Sequence, residues 1–116
     1  MICSPHSNSA IAEVELELRR HAERDRLLPE IANDGGAWSI FLYLFSRQAS
    51  QVNVGAICAH SSEPRTTVLR RLAVLESYGF IERRGGHTDK RVSFIRLRKA
   101  AVDRIVRYTE AVTAFA

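Results

Sequence analysis

The sequence predicts a mainly α-helical domain carrying a small β-hairpin, an α+β arrangement. Three observations carry this. Residues 64–78 hold apolar positions at helical spacing. Residues 80–97 read as two strands around a glycine-containing corner. Apolar stripes of helical period flank this unit on both sides, over residues 9–28 and 98–116.

The central unit is the most informative. Pro64 can open a helix, because a first-turn residue needs no N–H bond and its φ is already set. Val68, Leu72 and Leu75 then form one apolar stripe, while Arg65, Thr66, Leu69, Arg70 and Ala73 fall largely on another face. Gly79 ends the helix, as a residue that tolerates positive φ. Residues 80–84 and 91–97 read as strands, and Gly85-Gly86-His87-Thr88-Asp89 supplies turn chemistry between them.

This stretch resembles the second half of a winged helix-turn-helix, most closely that of MarR-type transcriptional regulators. The residues carrying the resemblance are Pro64, Thr67, Val68, Arg70, Leu75, Glu76, Gly79, Phe80, Ile81 and Arg83, followed by Asp89-Lys90-Arg91 in the wing. The likeness covers roughly residues 38–97. It implies a winged helix-turn-helix with flanking N- and C-terminal helices. Residues 64–78 become the recognition helix for the DNA major groove, and residues 84–91 the wing at the minor groove. By the same resemblance Arg91 is the wing arginine that enters the minor groove, with Asp89 pairing to it. The alternative for that pair is an exposed ion pair worth at most about 1 kcal/mol.

Length and composition agree with one domain. The chain has 116 residues, 46% hydrophobic and 26% charged, ordinary for a soluble globular protein. No run reaches the length of a membrane helix and no signal peptide is visible, so a cytoplasmic protein is expected. The net charge of +4 is unevenly placed. Residues 1–64 hold five Arg against eight acids, or −3, and residues 65–107 hold twelve Lys and Arg against four acids, or +8. The last nine residues add −1. A positive field concentrated on the recognition and wing segment is the footprint of a nucleic-acid binder. A merely basic, solvated surface is the plainer reading of the same charge.

Along the chain, residues 1–8 read as a flexible tail and residues 9–116 as a single domain. Ser9 is placed to cap the first helix, which carries Ile11, Val14, Leu18 and Ala22 on one side and should end before Pro29. Asp34 is placed to cap a dense apolar helix over residues 37–47, containing Trp38, Ile40, Phe41, Leu42, Leu44 and Phe45. These aromatics read as core, with part of a ligand pocket as the alternative. A short strand is expected at residues 51–53, then a first helix at residues 54–60 and a turn at Ser61-Ser62-Glu63. The family more often has Leu and Gly at positions 61 and 62. Cys58 reads as a small packed residue, with a redox-sensing thiol as the alternative. Ala101, Ile105, Tyr108, Val112 and Phe115 make the stripe of the last helix. The resemblance implies that Ile11, Val14, Leu18, Ile105, Tyr108, Val112 and Phe115 form a dimer interface through helices at 9–28 and 98–116, around a DNA-binding core at 37–97.

The expected function is sequence-specific binding of double-stranded DNA by a homodimeric transcriptional repressor. Arg65, Thr66, Thr67, Arg70 and Arg71 are the expected contacts from the helix, and Arg84, His87, Lys90 and Arg91 those from the wing. Arg70 is the leading base contact, since Arg pairs bidentately with guanine. A small-molecule effector would fit this scheme, but no residue names one. The four His and two Cys show no metal-ligand spacing, and no catalytic grouping stands out, so neither a metal, a cofactor nor an enzyme activity is expected. The rival readings are a plasmid or phage replication or partition protein with the same contacts, and a winged domain that binds protein.

Overall fold

A computed structural model of the chain describes residues 5–48, 51–85 and 93–114. Among these residues the order is α1 (Pro5–Leu27), α2 (Gly35–Ser46), β1 (Val52–Asn53), α3 (Val54–His60), α4 (Arg65–Ser77), β2 (Ile81–Gly85), β3 (Ser93–Leu97) and α5 (Lys99–Thr113). The winged helix-turn-helix with flanking helices is therefore the observed architecture.

Each boundary has a local cause. Asp34 caps α2 by accepting from the Ala37 N–H at 3.1 Å. Asn53 caps α3 by accepting from the Ala56 N–H at 2.7 Å. Ser61 Oγ accepts from the Glu63 N–H at 3.1 Å, which closes the turn between α3 and α4 where the resembling family has Leu and Gly. Gly79 has φ +74°, and two bonds run back into the last turn of α4: Gly79 N–H to Glu76 O at 2.9 Å and Phe80 N–H to Leu75 O at 3.0 Å. That pairing satisfies the terminal carbonyls and turns the chain into β2.

The sheet order is β1-β3-β2, antiparallel throughout. Val52 faces Ile95 in register, and β2 runs from Ile81 opposite Leu97 to Gly85 opposite Ser93. The alternation puts Ile81, Ile95 and Leu97 into the core, while Glu82, Arg84 and Arg96 lie on the outer face. The core itself gathers Phe41 and Ile40 of α2, Ile57 of α3, and Val68, Leu72 and Leu75 of α4. Phe41 is fully buried and meets the Phe80 ring edge-on at 5.6 Å. Trp38 meets Tyr108 edge-on at 5.1 Å, and the Arg24 guanidinium lies over its indole at 4.4 Å, so α1, α2 and α5 join there.

Several expectations are corrected. The first helix begins at Pro5, not Ser9, so Ser9 is an interior helical residue and residues 5–8 belong to α1. β2 runs one residue later than the sequence predicts at both ends, from Ile81 to Gly85. Ile105 and Tyr108 are not free for a partner: both pack into this chain's own core, at 0% and 9% exposure. Their stripe faces inward, where Ala101, Ile105 and Tyr108 join the core and Tyr108 meets Trp38. Val112 is half-buried against the same core, and Phe115 lies outside the described residues.

α1 gives the molecule its shape. The radius of gyration is 17.1 Å and the long axis 65 Å. A compact domain of this length would have a radius near ~13 Å. A helix of 23 residues spans about 34 Å, and its C-terminal end reaches the core through Arg24 and Leu27. Ile11, Val14 and Leu18 lie on the projecting part, at 55%, 58% and 61% exposure.

Candidate nucleic-acid interface

α4 is laid against the domain by Val68, Leu72 and Leu75, each fully buried. Its opposite side is open. Arg65, Thr66, Arg70 and Ala73 are exposed, Thr67 is half-buried, and the one carboxylate on the helix, Glu76, is paired to Arg83 at 3.2 Å. Arg65 leans towards α3, with its guanidinium 4.0 Å from Cys58 Sγ. Arg70 has no ion pair among the described residues. An exposed helix face with two arginines and a hydroxyl, and with no free acid, is suited to phosphates and base edges. Cys58 is half-buried and packs against the core, in keeping with its reading as a small filler.

Arg71, also an expected DNA contact on α4, is bound within the chain by two carboxylates. Its Nε donates to Glu63 Oε1 at 2.7 Å and its Nη2 to Glu63 Oε2 at 2.6 Å. Its Nη1 donates to Asp34 Oδ1. Helical periodicity explains this: Val68, Arg71, Leu72 and Leu75 follow the i, i+3, i+4, i+7 pattern of a single face. Arg71 sits at the edge of the buried stripe, not on the open side. That spacing was a usable signal, and so was the pair of glycines at 35–36 beside the capping Asp34. A side chain at Gly36 would crowd Arg71 and lie 2.5 Å from Glu63 Oε1.

On the wing, Arg84 is 68% exposed and within 3.5 Å of Glu82. His87, Asp89, Lys90 and Arg91 lie outside the described residues, as does the proposed Asp89–Arg91 pair. Two further arginines hold the scaffold. Arg96 pairs with Glu82 across β2 and β3. Arg104 of α5 donates to the Leu27 carbonyl at 3.0 Å and bidentately to Glu30 at 2.8 and 2.7 Å, with its guanidinium 5.0 Å from the Phe80 ring.

These pairs set a pH dependence. Hydrogen bonds from Arg104, Arg71 and Arg96 hold the carboxyls of Glu30, Glu63 and Glu82, respectively, below their ordinary value of 4.5. Depressed folded values mean that the unfolded chain takes up protons first as the pH falls. The stabilisation is therefore complete above the ordinary value and is lost on acidification through the folded values. Chemical unfolding followed between about pH 6 and about pH 3 should give a falling midpoint below about 4.5, with a shallower fall in Glu63→Gln. A midpoint that rises on acidification would contradict the role of these pairs.

These features define a winged helix-turn-helix with an open basic face on its second helix. The IclR helix-turn-helix domain family matches residues 41–85, from the middle of α2 through β2. Among solved structures the chain is similar to MepR of Staphylococcus aureus, a MarR-family regulator. A MepR mutant bound to an oligodeoxyribonucleotide superposes with a TM-score of 0.84 at 15% identity, over 97% of this chain and 79% of that one. A MepR–DNA complex gives 0.73 at 19% identity, over 91% and 84%. MepR described as a transcription regulator of the multidrug efflux pump MepA gives 0.72 at 15%, over 97% and 78%. No curated protein matches the sequence. Among the described residues no helix is long and apolar enough to cross a membrane.

Proposed function

We propose that this chain is a sequence-specific DNA-binding transcriptional regulator, not an enzyme, and that it works in the cytoplasm as a homodimeric repressor. The observation that carries the reading is the open face of α4. Arg65, Thr66 and Arg70 project there with no free carboxylate beside them, on the segment holding the +8 charge excess. The DNA-bound MepR structures of the same fold support it. In this reading α4 enters the major groove, and Arg84 with the segment up to residue 91 follows the adjacent backbone and minor groove. Occupancy of a promoter then excludes polymerase. An effector would act by favouring a dimer in which the two α4 helices no longer match successive grooves.

Selection from a random duplex pool tests it. An enriched palindrome with half-sites about one helical turn apart is expected. Recovery of no duplex at low salt would overturn the reading in favour of a protein-binding module.

The dimer rests on α1. Ile11, Val14 and Leu18 form an i, i+3, i+7 stripe on a projecting helix, and a second copy of that stripe would cover it. Leu18→Asp should shift the chain to monomer in sedimentation at concentrations where the parent is paired, because a carboxylate would be buried without a partner. A parent that sediments as a monomer would remove the α1 interface.

A further inference from the structure

Arg71, Asp34, Glu63 and Gly36 bring three elements to one point: the start of α2, the turn before α4, and the second turn of α4. Asp34 Oδ1 accepts both the α2 cap bond from Ala37 and the Arg71 guanidinium. Glu63 is engaged through both oxygens. Gly36 leaves the space the guanidinium occupies.

We infer that Arg71 is a positioning residue for the DNA-reading face: clamped by Asp34 and Glu63 in the space left by Gly36, it fixes the rotation and pitch of α4 against α2. The inference rests on the function proposed above and adds how its site is held. The physical ground is directional. Val68, Leu72 and Leu75 hold α4 down through burial, which resists separation but has no preferred direction. A planar guanidinium bonded bidentately to one carboxylate and singly to another fixes orientation as well as distance. The clamp lies to one side of the buried ridge, so it opposes rolling of α4 about that ridge. Thr66 and Arg70 extend from the far side of the helix, where a small roll displaces their tips most, and Arg65 is exposed at its first turn.

The test turns on sign. Glu63→Gln removes a negative charge beside the DNA-binding face. If Arg71 and Glu63 had no positioning role, that loss would leave DNA binding unchanged or tighten it. The clamp predicts the reverse, a weakening of about three- to thirtyfold on the selected duplex. Gly36→Ala, which changes no charge, should weaken specific binding in the same direction by crowding Arg71. Arg71→Met should weaken binding while leaving the salt slope at the parental value, whereas loss of a phosphate contact would lower it by about one. Parental or tighter binding by Glu63→Gln, or a reduced slope in Arg71→Met, overturns the inference. Circular dichroism and melting establish that each variant is folded. A parent that selects no duplex would sink the proposed function. The clamp is then read without DNA, by amide exchange at Ala37 and Glu63. Faster exchange in Gly36→Ala supports it, and parental exchange overturns it.

Discussion

Phe41→Ala should destabilise the fold by about 3–5 kcal/mol, the cost of removing a buried phenyl group and leaving a cavity. A domain of ordinary stability has only about 5–15 kcal/mol in total, so the variant should be partly unfolded near body temperature. Phe41 is fully buried and touches both halves of the core. Its ring lies 6.4 Å from and parallel to Trp38, and edge-on to Phe80. Trp38 leads to Tyr108 and α5, while Phe80 leads to β2 and to Arg104. Two of its neighbours are rigid rings, which adjust little to fill the space. Urea unfolding of the parent and Phe41→Ala measures the effect. A loss under about 1 kcal/mol would mean that the site collapses around the missing ring, and that the packing described here is looser than its geometry.

The second large effect concerns DNA. Arg70→Ala should cost about 1–3 kcal/mol on the selected duplex and relax the preference at one position in each half-site. Arg70 is exposed, has no ion pair among the described residues, and lies one helical turn on from Thr66 on the open side of α4. A guanidinium in that place can meet the two acceptors on a guanine edge. The experiment compares affinities for the selected site, for single-base variants of it, and for unrelated duplex at two salt concentrations. Weakening confined to specific sequence assigns a base contact. Equal weakening on every duplex, with a salt slope reduced by about one, would make Arg70 a phosphate contact instead.

The fold was legible in the sequence because its signals are local. Gly79 at the end of an apolar stripe, Asp34 before Ala37-Trp38, and Asn53 before Val54 each mark a boundary by a bond made within a few residues. What the sequence left open was which surface each stripe meets. Ile105 and Tyr108 have the same helical spacing as Ile11, Val14 and Leu18, yet the first pair closes this chain's core and the second group faces outward. Periodicity shows that a face is apolar, and only the tertiary arrangement shows what covers it. For the candidate site, the exposure of the side chains is what can be compared. Residue type and charge pointed to the outer face of α4, where Arg65, Thr66 and Arg70 are exposed. For Arg71, residue type suggests phosphate, and its pairing inside the chain is not visible locally. Its true partners, Asp34 and Glu63, lie thirty-seven and eight residues away along the chain.

The central position of β3 has a consequence for the order in which the chain can assemble. β1 immediately precedes α3 and β2 follows α4, and both pair to β3 and not to each other. The two strands that flank the helix pair are thus joined in the sheet only by a strand that comes later. Val52 must wait for Ile95 to be present before its pairing forms. The entropy of closing that long loop is lost before the contact returns any stabilisation. A ribosome that has extruded residues 41–85, the stretch matching a known helix-turn-helix family, has therefore not yet released the strand that completes the sheet. The helix-turn-helix is recognisable as a module in sequence, but the sheet beside it is complete only once residue 97 is present.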